Sequence, residues 1–339
     1  MRLDGIKQPL ARSVLTRAVT GGRVAHAYLF AGDPGLGQDD AAGRVIAALL
    51  CAEPDAGGAC GRCGPCRKVA AGNHPDVVWV EPEGASFKTS QIAQVIRELR
   101  YRPVEGRVRC VVLAAADTMT IEAANRLLKT LEDPPSEAVI FLLATDEGRL
   151  PETIRSRCQR VNFRPLGIDE LEKALVDDGV AGGERARWVA RLARGNPARA
   201  RFLVEHESFA TLYDTVHEDL EQVGRGDFLA ALAAAERWAA LDAADLALAL
   251  DLAERALIDA WMENQGLGSG RLPGPSAAAA VRLAPAWRGV EPEMVLVAFA
   301  RARRRLEARV GAQATVDALF LELQEARAGS PARDGKNRS

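Results

Sequence analysis

The 339-residue sequence has few aromatic residues, no excess of positive charge and no long hydrophobic run. Aromatic residues make up 5% of the chain, which argues against a stacking platform for single-stranded nucleic acid. The formal net charge of -2 gives no overall attraction to nucleic acid, so any DNA contact must come from local patches or partner subunits. Because no apolar run reaches membrane-spanning length and no secretion signal is visible, we expect a cytoplasmic protein without membrane contact.

A glycine-rich loop lacks the two residues that hold phosphate and magnesium. Residues 32–37 read GDPGLG, the frame of a phosphate-binding loop, between an apolar strand-like run and a predicted helix. A functional loop continues with a lysine for the phosphates and a serine or threonine for magnesium. Gln38 and Asp39 stand at those two positions, so we expect no productive ATP binding. The glycines that keep the turn of this degenerate loop are Gly32, Gly35 and Gly37.

Four cysteines cluster between residues 51 and 66, and they are Cys51, Cys60, Cys63 and Cys66. Ligands three residues apart can hold one ion, and four thiolates complete a tetrahedral zinc site with no open position for water. The alternatives are a disulfide pair or free thiols, and a cytoplasmic setting disfavours disulfides. We therefore predict a structural zinc knuckle over residues 51–66. The two remaining cysteines, Cys110 and Cys158, are predicted to pack in the interior.

The hydrophobic pattern changes near residue 165. Before it, valine-rich strands alternate with helices, which predicts a parallel sheet covered on both faces. After it, Ala, Leu, Arg and Glu recur at helical spacing, which predicts helices only. The predicted fold class is thus α/β followed by all-α. The predicted domains are an α/β domain at 1–165, a small helical domain at 166–204, a longer helical domain at 205–326 and a disordered tail at 327–339.

Several stretches, taken in order, resemble the clamp-loader AAA+ subunits of bacterial DNA polymerase III. They are RVAHAYLFAGDPGLG, the four-cysteine insertion, GNHPDVVWVEPEG, AANRLLKTLEDPPSEAVIFLLATDEGRLPETIRSRCQRVNF and GNPARA. The resemblance is close over about residues 5–204 and looser beyond them. It implies an AAA+ nucleotide-binding-like domain, a lid domain and a C-terminal collar domain for oligomerisation. It also implies a hetero-oligomer with gamma/tau and delta subunits, which reaches the sliding clamp (beta) and primer-template DNA through the complex.

Within that family the gamma and tau subunits are ATPase motors, whereas delta-prime subunits commonly have a decayed nucleotide site. This chain resembles the delta-prime branch, because the strand that should end in Asp-Glu ends in Ala114 and Ala115. Neither the magnesium-binding carboxylate nor the base that activates water is present. The alternative, a gamma/tau-like motor ATPase, is disfavoured by these two alanines together with Gln38 and Asp39. We expect no intrinsic activity, and any polymerase activity would belong to the holoenzyme. Asp117 survives nearby, and we predict that it caps the following helix.

The resemblance also implies a catalytic role for Arg157, within the triplet Ser156-Arg157-Cys158. In the family this arginine points toward the ATP of a neighbouring subunit, where it stabilises charge on the transferred phosphoryl group. Arg157 is therefore expected to act as an arginine finger in trans. The alternative is a surface arginine in a salt bridge, and Arg155 is a weaker candidate for the finger.

Other arginines receive no functional assignment. Arg199 lies one residue beyond the lid position at which motor subunits have an arginine, and such a shift turns a helical side chain by about 100°. The arginines between residues 97 and 109 could face DNA or a partner subunit, but Glu98 and Glu105 among them favour a solvated face. A zinc-dependent nucleic-acid module unrelated to replication would need a basic knuckle, and residues 51–66 contain one arginine and two acids.

Overall fold

A computed structural model of the chain describes residues 1–55, 57–135, 137–267 and 275–328. The strands are β1 Ala27–Ala31, β2 Val77–Val80, β3 Arg109–Leu113, β4 Ala138–Ala144 and β5 Gln159–Asn162. The helices up to residue 205 are α1 Pro9–Thr20, α2 Gln38–Leu50, α3 Gly64–Ala70, α4 Thr89–Leu99, α5 Ile121–Glu132, α6 Glu152–Arg155, α7 Ile168–Asp177, α8 Gly183–Leu192 and α9 Pro197–Glu205. The later helices are α10 Phe209–Gly224, α11 Phe228–Ala239, α12 Ala243–Asn264, α13 Pro275–Leu283, α14 Pro292–Glu307 and α15 Ala312–Ala328.

In the described part of the chain, the strands form one five-stranded sheet in the order β2-β3-β4-β1-β5, with every neighbouring pair parallel. The central strands are buried along their whole length, as continuous apolar runs such as AVIFLLA predict. Each strand sends alternate side chains to opposite faces. Thus Phe141 joins a core with Tyr28 and Phe30 on one face, whereas Leu142 joins a second core with Leu29 on the other.

Helices cover both faces of this sheet. On one face α2 buries an apolar side with Val45 and Ile46 against the aromatic core. On the other face α4 and α5 pack together, and α4 buries Ile92, Val95 and Leu99 at the helical spacing seen in the sequence. The predicted α/β class, followed by an all-α region, is therefore confirmed.

The chain divides into two compact units. The first contains residues 1–174 with 194–199, and the second contains residues 175–193 with those described from 200 onward. The sheet and its covering helices belong to the first unit. The predicted domain boundaries at 165 and 204 stay predictions. Helix α15 ends at Ala328, and the rest of the predicted tail lies outside the described residues.

The second unit is built from helices, with a core in which Trp238 and Phe320 pack at 5.1 Å between ring centroids. The buried carboxylate of Asp219 is paired there, because it accepts a hydrogen bond from Trp238 Nε1 at 2.9 Å. None of the helices that the structure describes is long and apolar enough to cross a membrane.

Candidate functional site

A cleft opens at the carboxyl ends of β1, β3 and β4, where parallel strands commonly position ligands. Its volume is about 370 Å³. The residues that line it are Gly32, Pro34, Gln38, Asp39, Glu81, Pro82, Ala114, Ala115, Leu143, Ala144 and Thr145. The degenerate phosphate loop and the strand end that lacks Asp-Glu are thus brought together at one site.

The glycines of the loop are needed for its shape. Gly35 and Gly37 have φ angles of 83° and 101°, which side chains other than glycine rarely adopt. A Cβ atom at Gly32 would lie 2.4 Å from the carbonyl oxygen of Phe163, and one at Gly35 would lie 2.9 Å from Cβ of Ala198. Gly32 is therefore needed for close packing, and Gly35 and Gly37 for the left-handed backbone, whether or not a nucleotide binds.

Gln38 closes the loop on itself from the position of the missing lysine. Its Nε2 donates hydrogen bonds to the carbonyl oxygens of Gly32 and Asp33, at 2.8 and 2.9 Å. The residue is only 5% exposed, whereas a phosphate-binding lysine must extend its amine toward the ligand. The side chain that replaces the lysine thus binds the backbone of the loop.

The charge of the cleft is negative. Asp39 and Glu81 line it, and no lysine or arginine is present among its described lining residues. Partial burial of its carboxylate, followed by the negative charges of Glu81 and Asp40, raises the pKa of Asp39. A triphosphate in this cleft would meet carboxylates at the point where a functional site provides a lysine and a metal ion.

The strand end at Ala114 and Ala115 provides no carboxylate to the cleft. The prediction that Asp117 caps the next helix is wrong. Thr120 caps α5, with its side chain accepting from the N–H of Ala123. Asp117 is 7% exposed, and its Oδ2 accepts a hydrogen bond from the N–H of Asp146 at 3.1 Å. This contact ties the turn after β3 to the turn after β4, and it gives one oxygen of the buried carboxylate a hydrogen-bond donor.

The four predicted cysteine ligands lie together, with all their sulfur atoms within 4.8 Å of one another. Cys51 follows α2, Cys63 precedes α3, Cys66 lies within α3, and Cys60 lies in the loop between the two helices. The Sγ atoms of Cys51 and Cys63 are 3.9 Å apart. Four ligands at 2.3 Å from a tetrahedral zinc would be about 3.8 Å apart, whereas a disulfide brings two sulfurs to about 2 Å.

Backbone N–H groups support negative charge on this sulfur cluster. The N–H of Cys60 donates to Sγ of Cys51 at 3.3 Å, and the N–H of Cys63 donates to Sγ of Cys60 at 3.4 Å. Hydrogen bonds from the backbone of Arg62 and Cys63 lower the pKa of Cys60, whereas burial raises the pKa of Cys51. A metal ion bound to a thiol deprotonates it, so the cluster could hold a metal ion and is compatible with zinc.

The other two cysteines lie outside the cluster. Cys110 is fully buried in β3, as predicted, and burial raises its pKa to about 12. Cys158 is half-buried and packs against the core beneath α4 and α5, and burial likewise raises its pKa to about 12.

Arg157 follows α6 and precedes the edge strand β5. Its Nη1 donates to the carbonyl oxygen of Thr153 at 2.9 Å, and its Nη2 lies 2.7 Å from Oε1 of Glu132. The side chains of Arg157 and Glu132 are 35% and 51% exposed. The isolated chain therefore holds Arg157 in the surface salt bridge that the alternative interpretation expects.

Two ion pairs offset part of the positive charge in and beside the arginine-rich segment 97–109. Arg109 is 7% exposed and pairs with Glu98, with 2.7 Å between Nη2 and Oε2. Glu105 pairs instead with Lys68 at 2.6 Å. The interleaved acids thus neutralise part of the segment, as the sequence suggested.

Comparison with known proteins gives the family of the chain. The sequence model of the family described as DNA polymerase III, delta subunit, matches residues 7–167. The DNA polymerase III subunit delta' of Pseudomonas aeruginosa is 36% identical over 230 residues, which are 64% of this chain and 67% of that protein. This chain belongs to the delta-prime family of DNA polymerase III subunits. The delta-prime subunit of Bacillus subtilis is 35% identical over 220 residues, and the match spans 65% of its length, just under two thirds.

A solved gamma-subunit-related protein from Thermotoga maritima is 20% identical, with a TM-score of 0.49, over 93% of this chain and 99% of that chain.

Sequence reasoning missed two acidic residues at these delta-prime sites. Glu81 comes directly after β2. Its position at the carboxyl edge of the sheet was the signal that could have placed it in the cleft. Glu132 ends α5 and meets Arg157 only because the chain folds back between them, and no local pattern marks that contact.

Proposed function

We propose that this chain is a non-hydrolysing delta-prime subunit of the DNA polymerase III clamp loader. In that role it supports ATP-dependent loading of the sliding clamp onto primed DNA by a complex in which other subunits hydrolyse ATP. The observation that carries this proposal is Gln38, which fills the position of the phosphate-binding lysine and bonds to the loop backbone instead. Asp39 stands in place of the magnesium-binding hydroxyl and the two alanines after β3 stand in place of Asp-Glu, while Glu81 adds negative charge to the cleft.

The second part of the proposal is that Arg157 serves the ATP site of a neighbouring subunit. Strands β1 and β5 are parallel, with Tyr28 opposite Gln159. The degenerate loop leaves the carboxyl end of β1, whereas Arg157 lies at the amino end of β5. Roughly 10 Å of paired strand separates these two ends of the sheet. Arg157 thus lies at the opposite end of the sheet from the cleft of its own chain, which supports a role in trans.

The salt bridge with Glu132 does not prevent that role. A pair this exposed contributes about 0–1 kcal/mol, so little free energy holds the guanidinium in place. A phosphate group of a neighbour's ATP would offer two or three charged acceptors to the planar fork of the arginine. Arg157 can therefore exchange Glu132 for phosphate when a neighbour docks.

We further propose that the cysteine cluster holds one structural zinc ion. Four sulfur ligands leave no position for water, so the metal would stabilise the knuckle and take no part in chemistry. Because α2 and α3 both adjoin the cluster, the ion would fix the end of the helix that starts at the degenerate loop.

The proposed partners are the gamma/tau and delta subunits, with the clamp and primer-template DNA reached through the complex. Relatives named DNA polymerase III subunit tau and subunit gamma, 29% and 27% identical to this chain, support a shared assembly. The helices from residue 205 onward would form its collar, and the complex would act in the cytoplasm.

The experiment that tests the proposal measures phosphate release by the purified chain, with and without primed DNA. We expect none above background, and we expect clamp loading by a reconstituted complex to require the chain. Turnover that copurifies with the chain and is abolished by Gly37→Val would overturn the non-hydrolysing role. Full clamp loading by a complex that lacks the chain would overturn its place in the loader.

A further inference from the structure

The polar groups that line the cleft are mainly hydrogen-bond acceptors. The lining provides the carboxylates of Asp39 and Glu81, the amide of Gln38 and the hydroxyl of Thr145. The described lining contains no cationic side chain that could neutralise the two acids. A group that enters this cleft therefore meets two negative charges, and a cation is favoured there over an anion.

Gln38 adds a second and independent feature. Its Nε2 is used by the carbonyl oxygens of Gly32 and Asp33, and its Oε1 is buried with no hydrogen-bond partner. The oxygen and nitrogen of one amide point in different directions, so Oε1 points away from those two carbonyls. An acceptor that is buried and unpaired costs about 1–3 kcal/mol. Gln38 itself lines the cleft, so a small shift of the loop that brings Oε1 to the cleft surface would let a bound donor remove that cost.

The remaining walls of the cleft are apolar. Pro34, Pro82 and Leu143 line it together with the methyl groups of three alanines. Such walls suit an aliphatic stem, whereas a bare metal ion requires about six oxygen ligands around it. The volume of about 370 Å³ falls within the range of pockets that bind small organic molecules.

We propose that this cleft binds an organic cation, an ammonium or guanidinium group on an aliphatic stem, in the place where related motors bind a nucleotide. The cation would lie between Asp39 and Glu81, with its stem along the apolar walls. Its positive charge would also offset the partial burial and the neighbouring negative charges that raise the pKa of Asp39. Two sources share this chemistry: a free polyamine, and the lysine or arginine side chain of a neighbouring subunit.

The test is calorimetric titration of the full chain with spermidine at pH 7.5 in about 0.15 M salt, where weak surface attraction is screened. We expect one saturable site. The double variant Asp39→Asn/Glu81→Gln should weaken binding about tenfold or more, since hydrogen bonds between charged groups contribute that much.

The matched control is Glu83→Gln/Glu122→Gln, which removes the same charge from exposed residues outside the lining and should bind as the natural chain does. Absence of saturable binding, or equal weakening in both double variants, would overturn the proposal. So would displacement of spermidine by equimolar magnesium or ATP, because the cleft would then prefer a metal ion or an anion.

The same titration on the reconstituted complex separates the two sources. If assembly abolishes the spermidine site, a side chain of a neighbour fills the cleft; if the site persists, a free polyamine is the ligand. Both results support an organic cation. The readout is independent of ATP turnover, so its failure would leave the proposed role in clamp loading untouched.

Discussion

Replacement of Gln38 by glutamate tests whether this side chain closes the degenerate loop. Gln38→Glu hardly changes the shape of the residue, but it turns Nε2, which donates to Gly32 O and Asp33 O, into an oxygen. Two hydrogen bonds, each worth about 0.5–1.5 kcal/mol, are lost, and a buried negative charge then faces two carbonyl oxygens. We expect the free energy of unfolding to fall by about 2–4 kcal/mol at pH 7.

The assay is native-state hydrogen exchange of the amides of β1, which report opening of the sheet. A loss of 2–4 kcal/mol corresponds to exchange that is about 30-fold to 800-fold faster. Burial would raise the pKa of the new glutamate above its unfolded value of about 4.3, so the loss should shrink as pH falls through the folded pKa. Gln38→Ala is the control. It introduces no titratable group, so it should lower the free energy of unfolding by about 1–3 kcal/mol at any pH. Unchanged exchange in Gln38→Glu at pH 7 would refute the role given to this amide.

Two further predictions concern the metal cluster and a buried carboxylate. Metal analysis after dialysis should find one zinc ion per chain, and Cys63→Ser/Cys66→Ser should remove it while the sheet stays folded; normal zinc in that variant would exclude these ligands. Asp76 accepts backbone hydrogen bonds from residues 104–106 at 2.5, 2.9 and 2.7 Å. Burial raises the pKa of Asp76, but these hydrogen bonds outweigh it and lower the pKa below the usual value. The stability that Asp76 gives the folded chain should therefore be complete above about pH 4, its unfolded pKa, and be lost as pH falls through the folded pKa. In chemical denaturation, Asp76→Asn should therefore lower the free energy of unfolding by about 2–4 kcal/mol at pH 7 and by less near pH 3. A variant as stable as the natural chain at pH 7 would contradict this role.

The sequence predicts those helices and strands whose hydrophobic pattern is visible within one short segment. The strands β1 and β4 are continuous apolar runs, and so is β3 after Arg109, because helices cover both of their faces. Strand β5 was not predicted. It lies at the edge of the sheet, and only Val161 of its four residues, QRVN, is buried. This segment forms a strand because it pairs with β1, and pairing between distant segments leaves no periodic hydrophobic pattern in the local sequence.

The candidate sites divide in the same way. Spacing predicts the cysteine cluster and the loop without lysine, since each lies in one short segment. The partners of these sites come from elsewhere in the chain. Glu81 enters the cleft from the end of β2, and Glu132 reaches Arg157 from the end of α5. Such contacts depend on how the sheet orders its strands, which short-range patterns do not specify.

The central claim is that this chain, unable to use ATP itself, completes a neighbour's ATP site with Arg157. The most direct measurement is the rate of clamp loading by a reconstituted complex that contains Arg157→Ala, with Arg155→Ala as the matched control. We expect the variant to fold and assemble, while turnover at the bordered site falls about a thousandfold or more and loading falls with it. Arg157→Lys should rescue poorly, because an ammonium cannot reproduce the planar fork. Normal assembly with loading at the rate of the natural complex would contradict the claim and leave Arg157 as the surface partner of Glu132.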